Sequence, residues 1–188
     1  MDIKNHFLNH HLIVDSFLNN DNNLDSIKKA AELMLKSINS GGTIFSCGNG
    51  GSMCDAMHFS QELSGYFNKK RKALPSICIS DPSHITCVAN DTSFDFVFSR
   101  FLEANGNEGD CLLAISTSGN SPNVINAAKE AKKKKIKVVS LSSGDGGELL
   151  KYSDVSVCVD SNQTERTQEI HIIIIHSIIS YIEQKLNL

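Results

Sequence analysis

Five short apolar runs, each separated from the next by a stretch that includes helical periodicity or turn residues, limit the folds open to this chain. Thr43 to Cys47, Ile77 to Ser80, Cys111 to Ile115, Ile136 to Leu141 and Val155 to Val159 have the length and β-branched content of strands. Cys111-Leu112-Leu113-Ala114-Ile115 is apolar throughout, as a strand buried on both faces must be. Strands alternating with helices imply a parallel sheet covered on both sides, so the expected class is α/β, a three-layer αβα sandwich around a five-stranded parallel sheet. Two helices, about Asp2 to Leu18 and Leu24 to Ile38, precede the first strand, with a break at Asn19 to Asn23 and a stop at Gly41-Gly42. A long final helix runs from about Glu165 to Leu186. Residues 1–188 are expected to form one domain, with 1–40 a helical extension for packing or oligomerisation; at this length roughly 70% of the unfolded surface is buried.

Two turns at strand ends carry the chemistry. Cys47-Gly48-Asn49-Gly50-Gly51-Ser52 reads as strand end, glycine turn and helix start, with Gly48, Gly50 and Gly51 allowing positive φ. Ser52 and Asp55 have capping-box spacing, which places the helix start at Ser52. The free amides there form a seat for an anion. On that helix His58 and Glu62 stand at i and i+4 and share a face. The second turn, Ser116-Thr117-Ser118-Gly119-Asn120-Ser121-Pro122, places four hydroxyls at a strand's carboxyl end, with Ser121 capping a helix that begins at Pro122. Hydroxyls and helix-start amides cradle a phosphate without a lysine. Neither turn is a P-loop, and Met53 stands where a dinucleotide fingerprint needs its third glycine. In a doubly wound sheet both turns face one pocket at the strands' carboxyl ends.

Other stretches read more plainly. Tyr66 to Lys72 is expected to be a solvated basic loop, and Lys132 to Lys135 a favourable helix C-terminus with no further role. Six cysteines without a CxxC pair suggest reduced, mostly buried thiols in a cytoplasmic protein. A formal charge of −3 argues against nucleic acid as the main partner. The N-terminus has no signal-peptide pattern, and the apolar run Ile172 to Ile175 is far too short to span a bilayer. The last helix is apolar almost all round, which suggests that it is shared with other subunits. It contains Gln168, His171 and His176; taken alone, histidines in such a helix read as hydrogen-bonded core residues.

The glycine and serine turns together with Gln168-Glu169-Ile170-His171 resemble those of sugar isomerase (SIS) domain proteins. Asp55-Ala56-Met57-His58-Phe59 with Glu62, Ser80-Asp81, Ser83-His84-Ile85 and Asn90-Asp91 resemble, more narrowly, the bacterial phosphoheptose isomerases, and the likeness covers nearly the whole chain. It implies a flavodoxin-like SIS fold and a homotetramer that isomerises sedoheptulose 7-phosphate for lipopolysaccharide or other surface glycans. It further implies Glu62 and His176 as acid/base groups and His58, Glu62, Gln168 and His176 as ligands of one zinc ion. Asn49, Gly50, Gly51, Ser52, Glu62, Asn90, Asp91, Ser116, Thr117, Ser118, Ser121 and Gln168 are implied to hold the substrate.

Gln168 and His176 lie eight residues apart, roughly 12 Å along one helix, so active sites are expected at subunit interfaces, with His176 supplied by a neighbouring chain. Tyr66 replaces an arginine common in relatives, with Arg71 or Lys72 as possible substitutes for a phosphate contact, and Glu165 replaces an aspartate. The rival reading is a non-catalytic SIS protein that binds the replication initiator; such proteins lack the glutamate and late histidine present here. A SIS lyase or an isomerase of another sugar phosphate shares the same turns.

Overall fold

The computed structural model describes residues 2–186. In chain order the helices are α1 (Ile3–Leu18), α2 (Asp21–Asn39), α3 (Gly51–Ser64), α4 (Pro82–Asp91), α5 (Val97–Asn105), α6 (Pro122–Lys133) and α7 (Thr164–Lys185). The strands are β1 (Ile44–Gly48), β2 (Ser76–Cys78), β3 (Cys111–Ile115), β4 (Lys137–Ser143) and β5 (Val155–Val159), all paired in parallel in the order β2-β1-β3-β4-β5. That is the doubly wound order, with its switch point between β1 and β3.

Successive side chains of each central strand enter different cores. Ile44, Leu113 and Ile115 face a core closed by α2, α3 and α7, whereas Phe45, Cys47, Leu112 and Ala114 face one closed by α5 and α6. Period-two alternation is therefore present although both faces are apolar.

α7 accounts for its isoleucines within its own chain. Ile170, Ile174, Ile175, Ile178, Ile179 and Ile182 are buried against the sheet, α2 and α3; Ile173 remains exposed. A further exposed apolar face lies on α1, at Ile3, Phe7, Leu8 and Leu12. Arg166 holds that helix by donating to the His6 carbonyl at 3.0 Å and pairing with Glu169, which also meets His10 at 2.7 Å.

Several local expectations change. The break between the first helices is confined to Asn19 and Asn20, because the Asn20 side chain accepts from the Asn22 amide and starts α2 early. Cys47 and Cys111 are buried, which pushes both thiols well above their usual range, but Cys54 and Cys87 are exposed on helix surfaces. No helix among the described residues is long and apolar enough to cross a membrane.

Candidate active site

The two turns meet at the carboxyl ends of β1 and β3. Asn49, Gly50, Gly51, Ser52, Ser116, Thr117, Ser121 and Gln168 line one cavity of about 300 Å³, joined by Ile115 and by Thr164 at the start of α7. The three glycines serve different needs. Gly50 takes φ +54°, whereas a Cβ on Gly48 would fall 2.6 Å from the Ser52 carbonyl oxygen and one on Gly51 would fall 2.5 Å from the Gln168 amide. Only the first is a matter of positive φ; the others are close approaches of backbone to neighbour.

Helix α3 begins one residue earlier than the capping-box spacing indicates. Gly50 is its N-cap and makes no side-chain cap, while Ser52 is buried inside the first turn. The start of α3 is thus left without side-chain caps, as an anion seat requires. Ser121 is the N-cap of α6 as expected, yet its hydroxyl accepts from Ser116 Oγ at 3.0 Å instead of bonding its own helix. Asn49 is also turned inward. Its amide exchanges hydrogen bonds of 2.9 and 2.8 Å with Asn123, a buried residue that ties the two turns together. Ser118 does not line the cavity; its hydroxyl accepts from the Asn120 amide.

A second cluster lies lower on the seam between α3 and α7. Both helices leave the carboxyl edge of the sheet, so they run in the same direction. Gln168 meets Gly51 near their starts, and His176 meets His58 about two turns on. His58 Nε2 lies 3.2 Å from Glu62 Oε1 and 3.2 Å from His176 Nε2. Phe67 stacks on the His176 ring, with centroids 5.2 Å apart and planes at 26°. A single proton on His58 Nε2 therefore has two acceptors. Donors on a tetrahedral zinc with bonds of 2.0–2.1 Å stand about 3.3 Å apart, so the two edges centred on His58 fit that metal in spacing and donor type. They do not close: among the described residues no three His, Cys, Asp or Glu side chains form a complete ligand group. Gln168 of the same chain belongs to the phosphate end.

Between the two clusters stands Asp55, whose Oδ2 is buried without a hydrogen-bond partner among the described residues. Burial pushes its carboxyl up to about 6, against the opposing pull of His58. It is not the capping residue its spacing indicates.

Asn90 and Asp91 end α4, are exposed, bond to each other at 2.8 Å and do not line the cavity. Asp81 and His84 from the same stretch are structural: Asp81 caps α4 through the His84 amide, and the His84 ring meets the Val97 carbonyl at 2.8 Å. Tyr66 and Glu165 are exposed. Arg71 cannot replace a phosphate-binding arginine, because its guanidinium is buried in an ion pair with Glu183. The 66–72 segment is accordingly not a solvated loop throughout. One sequence signal could have shown this: a carboxylate between Ile179, Ile182 and other apolar residues of a helix needs a cationic partner.

A family model described as SIS domain matches residues 13–143. The phosphoheptose isomerase of Cytophaga hutchinsonii is 55% identical over 175 residues, covering 93% of this chain and 92% of that protein. That of Pectobacterium atrosepticum is 49% identical, covering 92% and 90%. The solved phosphoheptose isomerase of Neisseria gonorrhoeae superposes with a TM-score of 0.91 at 36% identity, covering 97% of both chains. That of Francisella tularensis gives 0.92 at 33%, covering 97% of this chain and 96% of the other.

Proposed function

The chain belongs to the SIS-domain family and, within it, to the phosphoheptose isomerases, and from that premise we propose that it interconverts sedoheptulose 7-phosphate and D-glycero-D-manno-heptose 7-phosphate. The observation that carries the reading is the meeting of Glu62 and His176 at His58, on the same helix pair that closes a hydroxyl-rich anion cradle.

Moving a carbonyl between C1 and C2 requires removal of a carbon-bound proton and passage through an enediolate. Glu62 turns Oε1 to His58, leaving Oε2 to take the proton as general base. His176 passes protons between the two sugar oxygens. The uncapped start of α3 and the hydroxyls of Ser116, Thr117 and Ser121 hold the phosphate and fix the far end of the sugar. His58 with Glu62 and His176 would hold a zinc ion once the Glu62–His176 edge closes on it, with Gln168 of a neighbouring subunit as a fourth ligand. When bound, it polarises the substrate carbonyl.

The active site is shared across the subunits of a homotetramer. Gln168 is about 12 Å from His176 of its own chain, so Gln168 and its cradle complete the His58–Glu62–His176 cluster of a neighbour. The sequence expectation has His176 contributed by a neighbouring chain; the contacts of 3.2 Å that join it to its own His58 and, through that residue, to Glu62 support carrying Gln168 across instead. Exposed Met57 and Ile173, on the two helices that carry the cluster, supply apolar surface for such a contact. The enzyme is cytoplasmic, and its heptose supplies lipopolysaccharide cores or other surface glycans.

Incubation with sedoheptulose 7-phosphate in deuterated water, followed by NMR, tests the reading. The aldoheptose phosphate is expected to appear with the wild type and to be absent with Glu62→Gln and His176→Ala. Turnover by both variants would remove the acid/base assignment, and no turnover by folded, zinc-loaded wild type would remove the heptose reading.

A further inference from the structure

The segment after α3 is fastened to α7 by one carboxylate. Glu183, 3% exposed, accepts from Arg71 Nε at 2.6 Å through one oxygen and from the Asn68 backbone amide at 3.2 Å through the other. Arg71, whose side chain is 1% exposed, directs its remaining donors to the end of α3: Nη2 to the Glu62 carbonyl at 2.6 Å and Nη1 to that of Leu63 at 2.8 Å. Asn68 is further held through its side chain to Ser180 at 3.1 Å. Its neighbour Phe67 is the ring that lies on His176.

A guanidinium at a helix C-terminus satisfies unpaired carbonyls, and a C-cap needs nothing more. This one does more, because the first carbonyl it binds belongs to Glu62 itself, and the carboxylate that neutralises it also fixes the backbone beside Phe67. The backbone of the base and the ring plane of its partner are thus referred to a single buried pair. We propose that Arg71, Glu183 and Phe67 are positioning residues that set the orientation of Glu62 and His176 toward each other. The inference rests on the acid/base roles given to those two residues. Arg71 and Glu183 act through α3 and α7, and Phe67 acts by limiting rotation of the His176 ring.

Phe67 offers the clean test, since it is half-buried in a loop and its truncation does not leave a buried charge unpaired. Phe67→Leu is expected to lower kcat on the order of 10- to 100-fold at unchanged KM, because small displacements of reacting groups have effects of that size and the phosphate cradle lies two turns away. Phe67→Tyr keeps the ring and should keep the wild-type kcat. Glu183→Gln should lower kcat in the same manner per folded molecule.

The independent measurement is NMR of the assembled protein labelled at histidine Cε1. The His176 resonance is expected to shift in Glu183→Gln, which keeps the Phe67 ring and its ring current, with the His171 resonance unmoved. Wild-type kcat in Phe67→Leu, or an unshifted His176 resonance, would overturn the proposal. A raised KM with unchanged kcat would do the same. If the wild type fails to isomerise the sugar, the functional reading falls, while the resonances still report whether the clamp orients His176.

Discussion

His171 and His176 stand five positions apart on α7 and meet different surroundings. His171 is fully buried, its Nε2 lies 3.1 Å from the Ser142 carbonyl oxygen, and its Nδ1 has no partner among the described residues. The bond to Ser142 requires the proton on Nε2 and leaves Nδ1 unprotonated. Burial depresses the ring's pKa from 6.5 to about 4, with the Ser142 contact opposing. A depressed folded-state value means that stability is full above pH 6.5 and is lost as pH falls through 4. The contribution over that window is about 3 kcal/mol at most. His171→Gln cannot titrate there, so its melting temperature should fall less steeply than that of the wild type between pH 7 and pH 4. Parallel curves would show that His171 is not protonated on unfolding. His176, by contrast, presents Nε2 to another imidazole and its face to Phe67, surroundings that orient a proton carrier.

At the scale of elements, helix ends determine what each helix can do. α3 and α6 begin without side-chain caps and face the cradle, whereas α4, away from it, is capped by Asp81. The end of α6 carries strain instead. Lys135 takes φ +59°, and the next amide, Ile136, returns to the Ala131 carbonyl at 2.8 Å, the geometry in which a helix is ordinarily closed by glycine. Its side chain contributes only an exposed pair with Glu108. Lys135→Gly should therefore stabilise the protein by about 1 kcal/mol, read as a higher urea midpoint at unchanged slope. A lower midpoint would mean that the lysine contacts outweigh the backbone strain. The expectation that Lys132 to Lys135 has no role beyond its helix end is amended twice: Lys132 and Lys137 converge on Asp154 and tie α6 to the strands, and Lys134 Nζ donates to the Leu102 and Glu103 carbonyls at the end of α5. Burial pushes the Asp154 carboxyl up, but the bonds from Lys132, Lys137 and the Val138 amide together hold it below its usual range.

At the scale of the whole molecule, a cradle and a proton-transfer cluster about two helical turns apart can be used in two ways. The shared site proposed above brings one chain's cradle to another's cluster; the competing arrangement has an extended seven-carbon sugar phosphate, about 10 Å long at ~1.2 Å per bond, bridging both within one chain. Hybrid oligomers separate the two. Thr117→Asp places a carboxylate in the cradle and His176→Ala empties the cluster, and each alone should be inactive. Unfolding and refolding the two together should restore turnover if sites are shared, because some sites then draw the intact half from each chain. No recovery in hybrids of confirmed mixed composition would place the site within one chain.

The order of strands and helices, the parallel sheet and the two turns that form the cradle are legible in the sequence alone. Those depend on local periodicity, glycine steric limits and strand-end chemistry, all expressed within a few neighbouring residues. His58 and Glu62 were legible as a pair for the same reason, one turn of helix apart. Partnerships between distant residues emerge only in the folded chain. Asn49 is occupied by Asn123, which is 74 positions away, and Arg71 by Glu183, which is 112 away. His176 joins His58 across 118 positions, whereas Gln168, on the same helix, does not. No periodicity shows which buried charge finds which partner, because that choice follows from desolvation after the helices have packed.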